Sequence, residues 1–297
     1  MRWFPVLVAL ISGLTLQTKA APFMVLEDFE NYGTNSFVTD HQPPWYTSDQ
    51  WLNNGIITGT PNGKAGWLGG LSGGPTLPLP VSLDYRFNPA GNNQFVFRWV
   101  QNIANADPDD NKRDVFGWAV KDLQGTTVLS LKFANEAHTQ NGHSYDTAVY
   151  AYQGAWDGTE LTAATGQPLL GLMNRSEYTV FEIALDALQR TWTASFAAGD
   201  NVNAAMEYTF VTGGSALSTA HAIGSLSALW NLQDTSTTTT GYLDNGNPVT
   251  LYTGAGGNIM LMDNIRVYAT AIPEPSSLAL VGISLGLLCG IRRFRNS

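Results

Sequence analysis

Residues 94–100, Gln-Phe-Val-Phe-Arg-Trp-Val, alternate between two kinds of side chain. In an extended chain Phe95, Phe97 and Trp99 lie on one face, and Arg98 lies between them on the other. Large apolar groups at every second position are typical of a half-buried β-strand. The stretch therefore predicts a strand that turns an aromatic face toward a core.

Further segments repeat this pattern, and clusters of Gly, Asn, Asp and Pro separate them. They are residues 114–120, 126–133, 146–152, 178–185, 190–197, 206–211 and 258–269. Short helical turns are predicted only near 185–189 and 215–229. Parallel strands need long crossover connections, usually helical, and none is predicted here. We therefore expect an all-β protein whose antiparallel sheets pack as a β-sandwich.

The first twenty residues have the pattern of a secretory signal peptide. Arg2 supplies a positive charge, residues 4–16 form an apolar core, and residues 18–20 end in a small residue. The apolar core is shorter than the roughly 20 residues that span a bilayer, which disfavours a transmembrane helix. We predict cleavage between Ala20 and Ala21, with residues 21–270 forming one exported domain.

The charge of this domain is strongly negative. The whole chain carries −9, but five of its fifteen basic residues and only one acidic residue lie in 1–20 and 271–297, so residues 21–270 carry −13. Such a surface repels phosphate backbones, and nucleic acid is excluded as a partner. The single cysteine, Cys289, lies outside the domain, which therefore has neither disulfides nor thiolate chemistry.

The domain resembles a known superfamily in four segments, residues 25–32, 116–133, 178–196 and 262–269. They are similar to segments of the jelly-roll sandwiches of the concanavalin A-like lectin and glucanase superfamily. The resemblance implies an antiparallel jelly-roll sandwich. It also implies that the acidic early strand and the closing Asp-Asn-Ile-x-Val strand pair side by side at the sandwich edge.

The C-terminal segment 271–297 contains Pro273, Glu274 and Pro275, then an apolar stretch 278–291, then a basic end at Arg292, Arg293 and Arg295. It resembles the PEP-CTERM sorting signal of exported bacterial proteins. The resemblance implies an exosortase, a membrane peptidase, as the partner that processes the tail. The apolar stretch is short, but snorkelling arginines let it seat as a transmembrane helix with its basic end in the cytoplasm.

Sequence motifs of catalysis are absent. The glucanase pattern Glu-x-Asp-x-x-Glu, which would bring acid and nucleophile to one strand face, does not occur. Neither does a Gly-x-Ser-x-Gly elbow or a His-Glu-x-x-His helix. His138 and His143 are expected in a solvated loop. We therefore predict that the protein is not an enzyme, and keep a glycoside hydrolase or polysaccharide lyase of the same fold as the alternative.

The best metal candidate is the acidic run 107–114. Asp107, Asp109 and Asn111 have the alternating spacing that lets oxygen ligands converge on calcium. Lys112 replaces the glycine that an EF-hand needs, so the run is not an EF-hand. A solvated acidic turn is the alternative. Calcium is the one cofactor that the sequence suggests.

Nine tryptophans make a carbohydrate site a reasonable expectation. Sugars stack on exposed aromatic rings beside amide and carboxylate groups. We assign Trp45, Trp51, Trp67 and Trp156 to loops as candidate glycan-binding residues, and Trp99, Trp118 and Trp192 to the core. The sequence thus predicts a non-catalytic surface or matrix protein, anchored transiently in the inner membrane, that binds extracellular polysaccharide. A purely structural matrix component is the further alternative.

Overall fold

A computed structural model describes most of the domain. The described residues are 23–34, 36–41, 43–48, 53–70, 80–104, 114–155, 159–160, 170–211, 222–232, 238–242, 248–252 and 258–270. Apart from a short 3-10 helix, Val38–Asp40, their regular structure consists of strands. Within these residues no helix has the length and apolar character needed to cross a membrane. The predicted signal peptide and sorting tail lie outside the described residues.

The strands are numbered in chain order. They are β1 (Phe23–Glu27), β2 (Trp45–Thr47), β3 (Asn54–Thr60), β4 (Gly63–Gly69), β5 (Val81–Arg86), β6 (Gln94–Ala104), β7 (Val115–Asp122), β8 (Thr127–Gln140), β9 (His143–Gln153), β10 (Thr159–Glu160), β11 (Leu170–Met173), β12 (Thr179–Asp186), β13 (Thr191–Ala198), β14 (Tyr208–Val211), β15 (Ile223–Asn231), β16 (Thr238–Tyr242), β17 (Pro248–Tyr252) and β18 (Ile259–Thr270).

Two antiparallel eight-stranded sheets form the body. The first has the order β14-β13-β12-β6-β18-β4-β3, with β1 also paired to β18. The second has the order β10-β9-β8-β7-β15-β5-β2, with β11 also paired to β9. Strands β16 and β17 form a separate two-stranded ribbon. The predicted all-β, antiparallel two-sheet architecture is confirmed.

Each segment with alternating side chains forms a strand, which confirms the predictions from residue periodicity. The predicted helical turn near 185–189 is wrong, because residues 187–190 form a turn without a helix. The one predicted over 215–229 is wrong from residue 223 onward, where β15 begins, and residues 215–221 lie outside the described residues. The sequence of β15, Ile-Gly-Ser-Leu-Ser-Ala-Leu-Trp-Asn, mixes good helix formers with small residues, but it lies between β5 and β7 with nearly every residue buried. Pairing on both sides overrides its weak local preference.

The early and closing strands pair as the superfamily resemblance implies. Phe23 lies opposite Ala269, and Glu27 lies opposite Ile265. The expected edge position is wrong for β18, which lies inside the first sheet with β6 on one side and β4 and β1 on the other. Among the described strands, β1 pairs with β18 alone. A bulge lies between Asp263 and Arg266, and Asn264 within it has a φ of 50°. It bends β18 at the point where its pairing partner on this side changes from β4 to β1.

The two sheets meet in one aromatic core. Trp99 of β6 and Trp118 of β7 come from opposite sheets, and their ring centroids are 4.6 Å apart. Both indole N–H groups donate to the same acceptor, Gln101 Oε1, at 3.0 and 2.8 Å. Gln101 is 1% exposed, so neither donor has access to water in its place. A single amide oxygen therefore satisfies one buried donor from each sheet.

Replacing this oxygen should destabilise the fold. Gln101→Leu leaves two buried indole donors unsatisfied, at about 1–3 kcal/mol each. The substitution also removes Gln101 Nε2, which has no partner among the described residues, and this offsets part of the loss. We expect the free energy of unfolding to fall by about 2 kcal/mol in urea titrations.

The matched control uses the donors. In a protein that carries Trp99→Phe and Trp118→Phe, the same Gln101→Leu change should be neutral or stabilising. No indole N–H is then left without an acceptor, and the change removes a buried amide that has lost its donors. An equal loss in both backgrounds would show that the hydrogen bonds are not its source.

Candidate functional site

A cleft of about 670 Å³ opens at one side of the sandwich, and we call it the edge cleft. Its walls come from the tip of the β8–β9 hairpin and β11 in the second sheet, and from β12, β13 and the chain around β14 in the first. Most of its lining side chains are polar. They are Gln140, His143, Ser144, Tyr145, Asn174, Glu177, Thr179, Glu207 and Thr209.

The hairpin tip owes its position to two residues. Asn141 and Gly142 both have positive φ, 53° and 81°, and they join Gln140 to His143, which pair across the hairpin. Such a two-residue turn matches the natural twist of paired strands, and Asn-Gly is its preferred sequence. His143 and Tyr145 are two positions apart on β9, so both project toward the cleft.

The floor of the cleft is apolar and belongs to the core. Met173 and Phe196 line it with 4% and 6% of their surfaces exposed. Phe196 packs on Phe181, with ring centroids 5.7 Å apart. Because these side chains are fixed by the core, the cleft has a rigid base beneath its polar rim.

The space itself arises where core side chains become small. Along β12 the inward-facing residues change from Phe181 to Thr179, and along β13 they change from Phe196 to Ala198. Thr179 and Ala198 lie directly opposite each other in the sheet. Two adjacent strands therefore lose bulk at the same end, and the gap between the sheets is left open there.

Two carboxylates lie in the edge cleft. Glu177, in the turn between β11 and β12, accepts a hydrogen bond from Asn174 Nδ2 at 3.2 Å. Glu207 precedes β14, and its backbone N–H donates to Phe196 O at 3.1 Å, which fixes the chain at the cleft wall. Both residues are exposed. The lining residues that the structure describes include no lysine or arginine.

The sequence-predicted site residues fare differently. Trp45 is wrong as a glycan platform, because it lies in β2 with no exposed surface, and its indole N–H points to Glu27 Oε2 at 3.4 Å. The buried Glu27 carboxylate accepts the hydrogen bond of the Trp45 indole N–H, so this polar group is satisfied inside the core.

Trp67 lies in β4, half-buried on the outer face of the first sheet and away from the edge cleft. A Cβ on Gly55 would lie 2.7 Å from Trp67 Nε1, so the indole lies against the β3 backbone.

The remaining candidates lie outside the described residues, and they stay predictions. They are Trp51 and Trp156, the calcium candidates Asp107, Asp109 and Asn111, the cleavage residues Ala20 and Ala21, and the sorting residues Pro273, Glu274, Pro275, Arg292, Arg293 and Arg295. Within the part of the chain that is described, no group of three or more His, Cys, Asp or Glu is arranged to hold a metal ion.

The predicted loop position of His138 and His143 is wrong, because they lie in β8 and β9. Sequence reasoning missed the edge cleft, although part of its signal was present. The Asn-Gly pair at 141–142 is typical of a tight hairpin turn. A hairpin at this position predicts that β8 and β9 continue up to the cleft.

A buried carboxylate lies on the outer face of the first sheet. Asp263 is 4% exposed, and the hydrogen bonds described for it come from Asn264, its own neighbour, at 2.6 and 3.1 Å. Segment 199–207 packs over this face, where Val202 forms a small cluster with Val180 and with Val100, the residue opposite Asp263. Burial, with the nearby Glu30 and Asp28 charges, raises the pKa of Asp263 to about 7.

Comparisons with known proteins do not identify a family. No protein-family description and no curated protein matches the sequence. Among solved structures, the CBM2 module of the Lactobacillus casei BL23 phage J-1 evolved Dit is 11% identical, with a TM-score of 0.45 over 86% of this chain and 96% of that one. A Bauhinia forficata lectin in complex with GalNAc is 7% identical, with a TM-score of 0.42 over 84% and 99%. Peanut lectin is 9% identical, with a TM-score of 0.39 over 83% and 99%.

The stability of the protein should depend on pH through Asp263. Between about pH 4 and pH 7 the folded protein keeps a proton on this carboxyl that the unfolded chain has already released. The Asp263 contribution to the free energy of unfolding is therefore fully present below that window and is lost as the pH rises through it. The difference is on the order of a few kcal/mol.

Asp263→Asn keeps an oxygen acceptor for Asn264 but cannot ionise. We expect it to be more stable than the wild type at neutral pH, with the gap closing toward pH 4 in paired urea titrations. Glu30→Gln should move the same transition to lower pH, because the Glu30 charge helps to raise this pKa. A constant difference between wild type and Asp263→Asn across the window would contradict the prediction.

Proposed function

We propose that the protein is an exported β-sandwich that binds polysaccharide in its edge cleft without transforming it. The observation that carries this proposal is the lining of the cleft, where amide, hydroxyl and carboxylate groups surround an apolar floor. A sugar ring offers hydroxyl groups around its rim and C–H groups on its faces. Sites of this composition suit such ligands, because polar groups fix orientation while apolar surface contributes contact.

The position of the edge cleft favours a chain rather than a small isolated ligand. The cleft runs between an edge strand of each sheet, β11 and β14, and it is rimmed by exposed residues such as His143, Ser144 and Thr209. Tyr145 is the aromatic side chain on the polar rim of the cleft. A phenol ring can pack on a sugar face while its hydroxyl group stays in contact with water.

The enzyme alternative has one specific observation in its favour. Glu177 and Glu207 share the cleft with His143 and Tyr145, and paired carboxylates or a Tyr–His group are what a glycoside hydrolase or a lyase would use. Release of reducing sugar or unsaturated product, lost in Glu177→Gln and Glu207→Gln, would move the protein to that class. Binding without product supports the non-catalytic proposal.

Export and sorting are supported by the sequence. A signal peptide ending at Ala20 would carry the domain across the membrane, and the apolar stretch 278–291 would stop transfer with its arginines inside. The PEP-CTERM resemblance of the tail adds an exosortase as the processing partner. The proposed location is the cell surface or extracellular matrix after transient anchoring, and the proposed fold family is the concanavalin A-like jelly roll.

Removing the Tyr145 ring from the rim of the cleft should weaken binding. In affinity gels that contain neutral, amino and acidic polysaccharides, we expect the protein to be retarded by at least one of them. Tyr145→Ala should reduce that affinity about fivefold, since an aromatic contact contributes roughly 1 kcal/mol.

The matched control is Tyr268→Ala, which removes an exposed tyrosine ring from β18, outside the edge cleft. This variant should bind as the wild type does. Equal loss in both variants would show that the cleft ring has no special part in binding, and absence of retardation in every gel would overturn the proposed function.

The tail should be cleaved at or near Pro273-Glu274-Pro275 during export. Each proline lacks an amide hydrogen and disfavours helix in the residue before it, so a membrane helix cannot readily extend back through the triplet. An extended peptide outside the bilayer is the form that a peptidase binds. Replacing the triplet by three alanines should therefore block processing and leave full-length protein in the membrane fraction.

Intact-mass measurement on protein secreted by a host that has the sorting system decides this point. Wild-type protein should lack Arg292 and everything after it. Its recovery with residues 292–297 still attached would rule out processing.

A further inference from the structure

We propose that the edge cleft selects polysaccharides whose sugars carry free, protonated amino groups over polysaccharides that carry acidic groups. The inference rests on the proposed function and names the ligand class for the same site. Polymers of deacetylated hexosamine have the required chemistry, since each ring carries one ammonium group beside neutral hydroxyls.

The charges that line the edge cleft carry this inference. Glu177 and Glu207 are both exposed there, and neither takes part in an ion pair among the described residues. Asn174, which donates a hydrogen bond to Glu177, is neutral and leaves the charge of this carboxylate in place. His143 is the basic side chain among the described lining residues. The cleft thus presents two carboxylates that no lysine or arginine of the described residues neutralises.

Electrostatics then separates the ligand classes. An ammonium group beside a surface carboxylate gains a modest attraction, whereas a uronate or sulfate in the same place is repelled by a similar amount. The charge of −13 on residues 21–270 adds a field of the same sign at longer range. A neutral sugar gains from neither effect. The expected order of affinity is therefore amino sugar, then neutral sugar, then acidic sugar.

The uncharged part of the edge cleft distinguishes a sugar from any other cation. Ser144, Asn174 and Thr179 offer hydroxyl and amide groups, and Tyr145 offers a ring. A flexible alkyl-ammonium chain has no hydroxyls or rigid C–H face for these groups to contact, whereas a pyranose has both. Charge therefore ranks the sugars, while the polar lining and the ring make the ligand a sugar.

The test compares four probes by calorimetry, at low salt and at a mildly acidic pH where sugar amines are protonated. The probes are oligomers of glucosamine, N-acetylglucosamine and glucuronic acid, and a lysine oligomer of equal charge to the first. Glucosamine oligomers should bind about tenfold more tightly than their N-acetylated counterparts, and glucuronic acid oligomers most weakly. High salt should shrink the preference, because exposed charges are screened.

Variants locate the effect. Glu177→Gln with Glu207→Gln keeps acceptor oxygens and should bring the two hexosamine oligomers to nearly equal affinity. Glu136→Gln, the same change at an exposed residue outside the cleft, should keep the preference. Melting midpoints of all variants check that each is folded.

The outcomes separate the two proposals. Binding of N-acetylglucosamine oligomers without any preference for the amine, or tighter binding of glucuronic acid, would overturn this inference and leave polysaccharide binding standing. A preference that survives in the double variant, or a lysine oligomer that binds as tightly as glucosamine, would also overturn it. If no saccharide binds at all, the proposed function itself fails.

Discussion

The two hydrogen bonds that Gln101 Oε1 accepts from Trp99 and Trp118 are the constraint on which the sandwich depends. The two indoles come from facing sheets, so their shared acceptor fixes both the spacing and the relative position of β6 and β7. Each of these strands is paired on both sides, so the positions of the neighbouring strands depend on it. The same alignment reaches the edge cleft: the Trp99 and Phe181 ring centroids are 5.8 Å apart, and those of Phe181 and Phe196, which lies in the cleft floor, are 5.7 Å apart. A continuous row of rings thus connects the polar centre of the core to the edge cleft.

The outer face of the first sheet follows a different logic from its inner face. On the inner face the buried Gln101 oxygen accepts two hydrogen bonds, whereas on the outer face Asp263 is covered by segment 199–207 and has no cation partner among the described residues. The cover is held instead through its backbone and amide groups. Arg98 Nη2 donates to Ala204 O, and Arg266 Nη1 donates to Asn203 Oδ1 at 2.7 Å. The segment that covers Asp263 ends at Glu207, so one stretch of chain both shields the buried carboxyl and forms a wall of the cleft.

The alternation of apolar and polar side chains predicted the strands well, because that alternation lies within each strand's own sequence. The alternation around Phe97 and Trp99 places those rings in the core wherever the strand lies in the sheet, and the same holds for Trp118 and Trp192. Prediction failed where long-range contacts decide. β15 looks helical by composition, yet β5 and β7 bury it as a strand. Trp45 looks like a loop residue, yet Glu27, eighteen positions earlier, gives its indole a buried partner.

The edge cleft could not be predicted for a related reason. The sequence points to carbohydrate sites at tryptophans in loops, where an exposed ring is easily recognised. The cleft instead results from the loss of bulk at Thr179 and Ala198, and each residue is unremarkable in its own strand. Only the pairing of β12 with β13 sets them opposite each other, and only the packing of the sheets turns that pair into an opening. Its polar rim then follows from topology: once core side chains end, the residues that continue the strands face water, and water selects polar groups there. A site of this kind depends on the register between strands, and that register cannot be read from a single sequence before the fold is known.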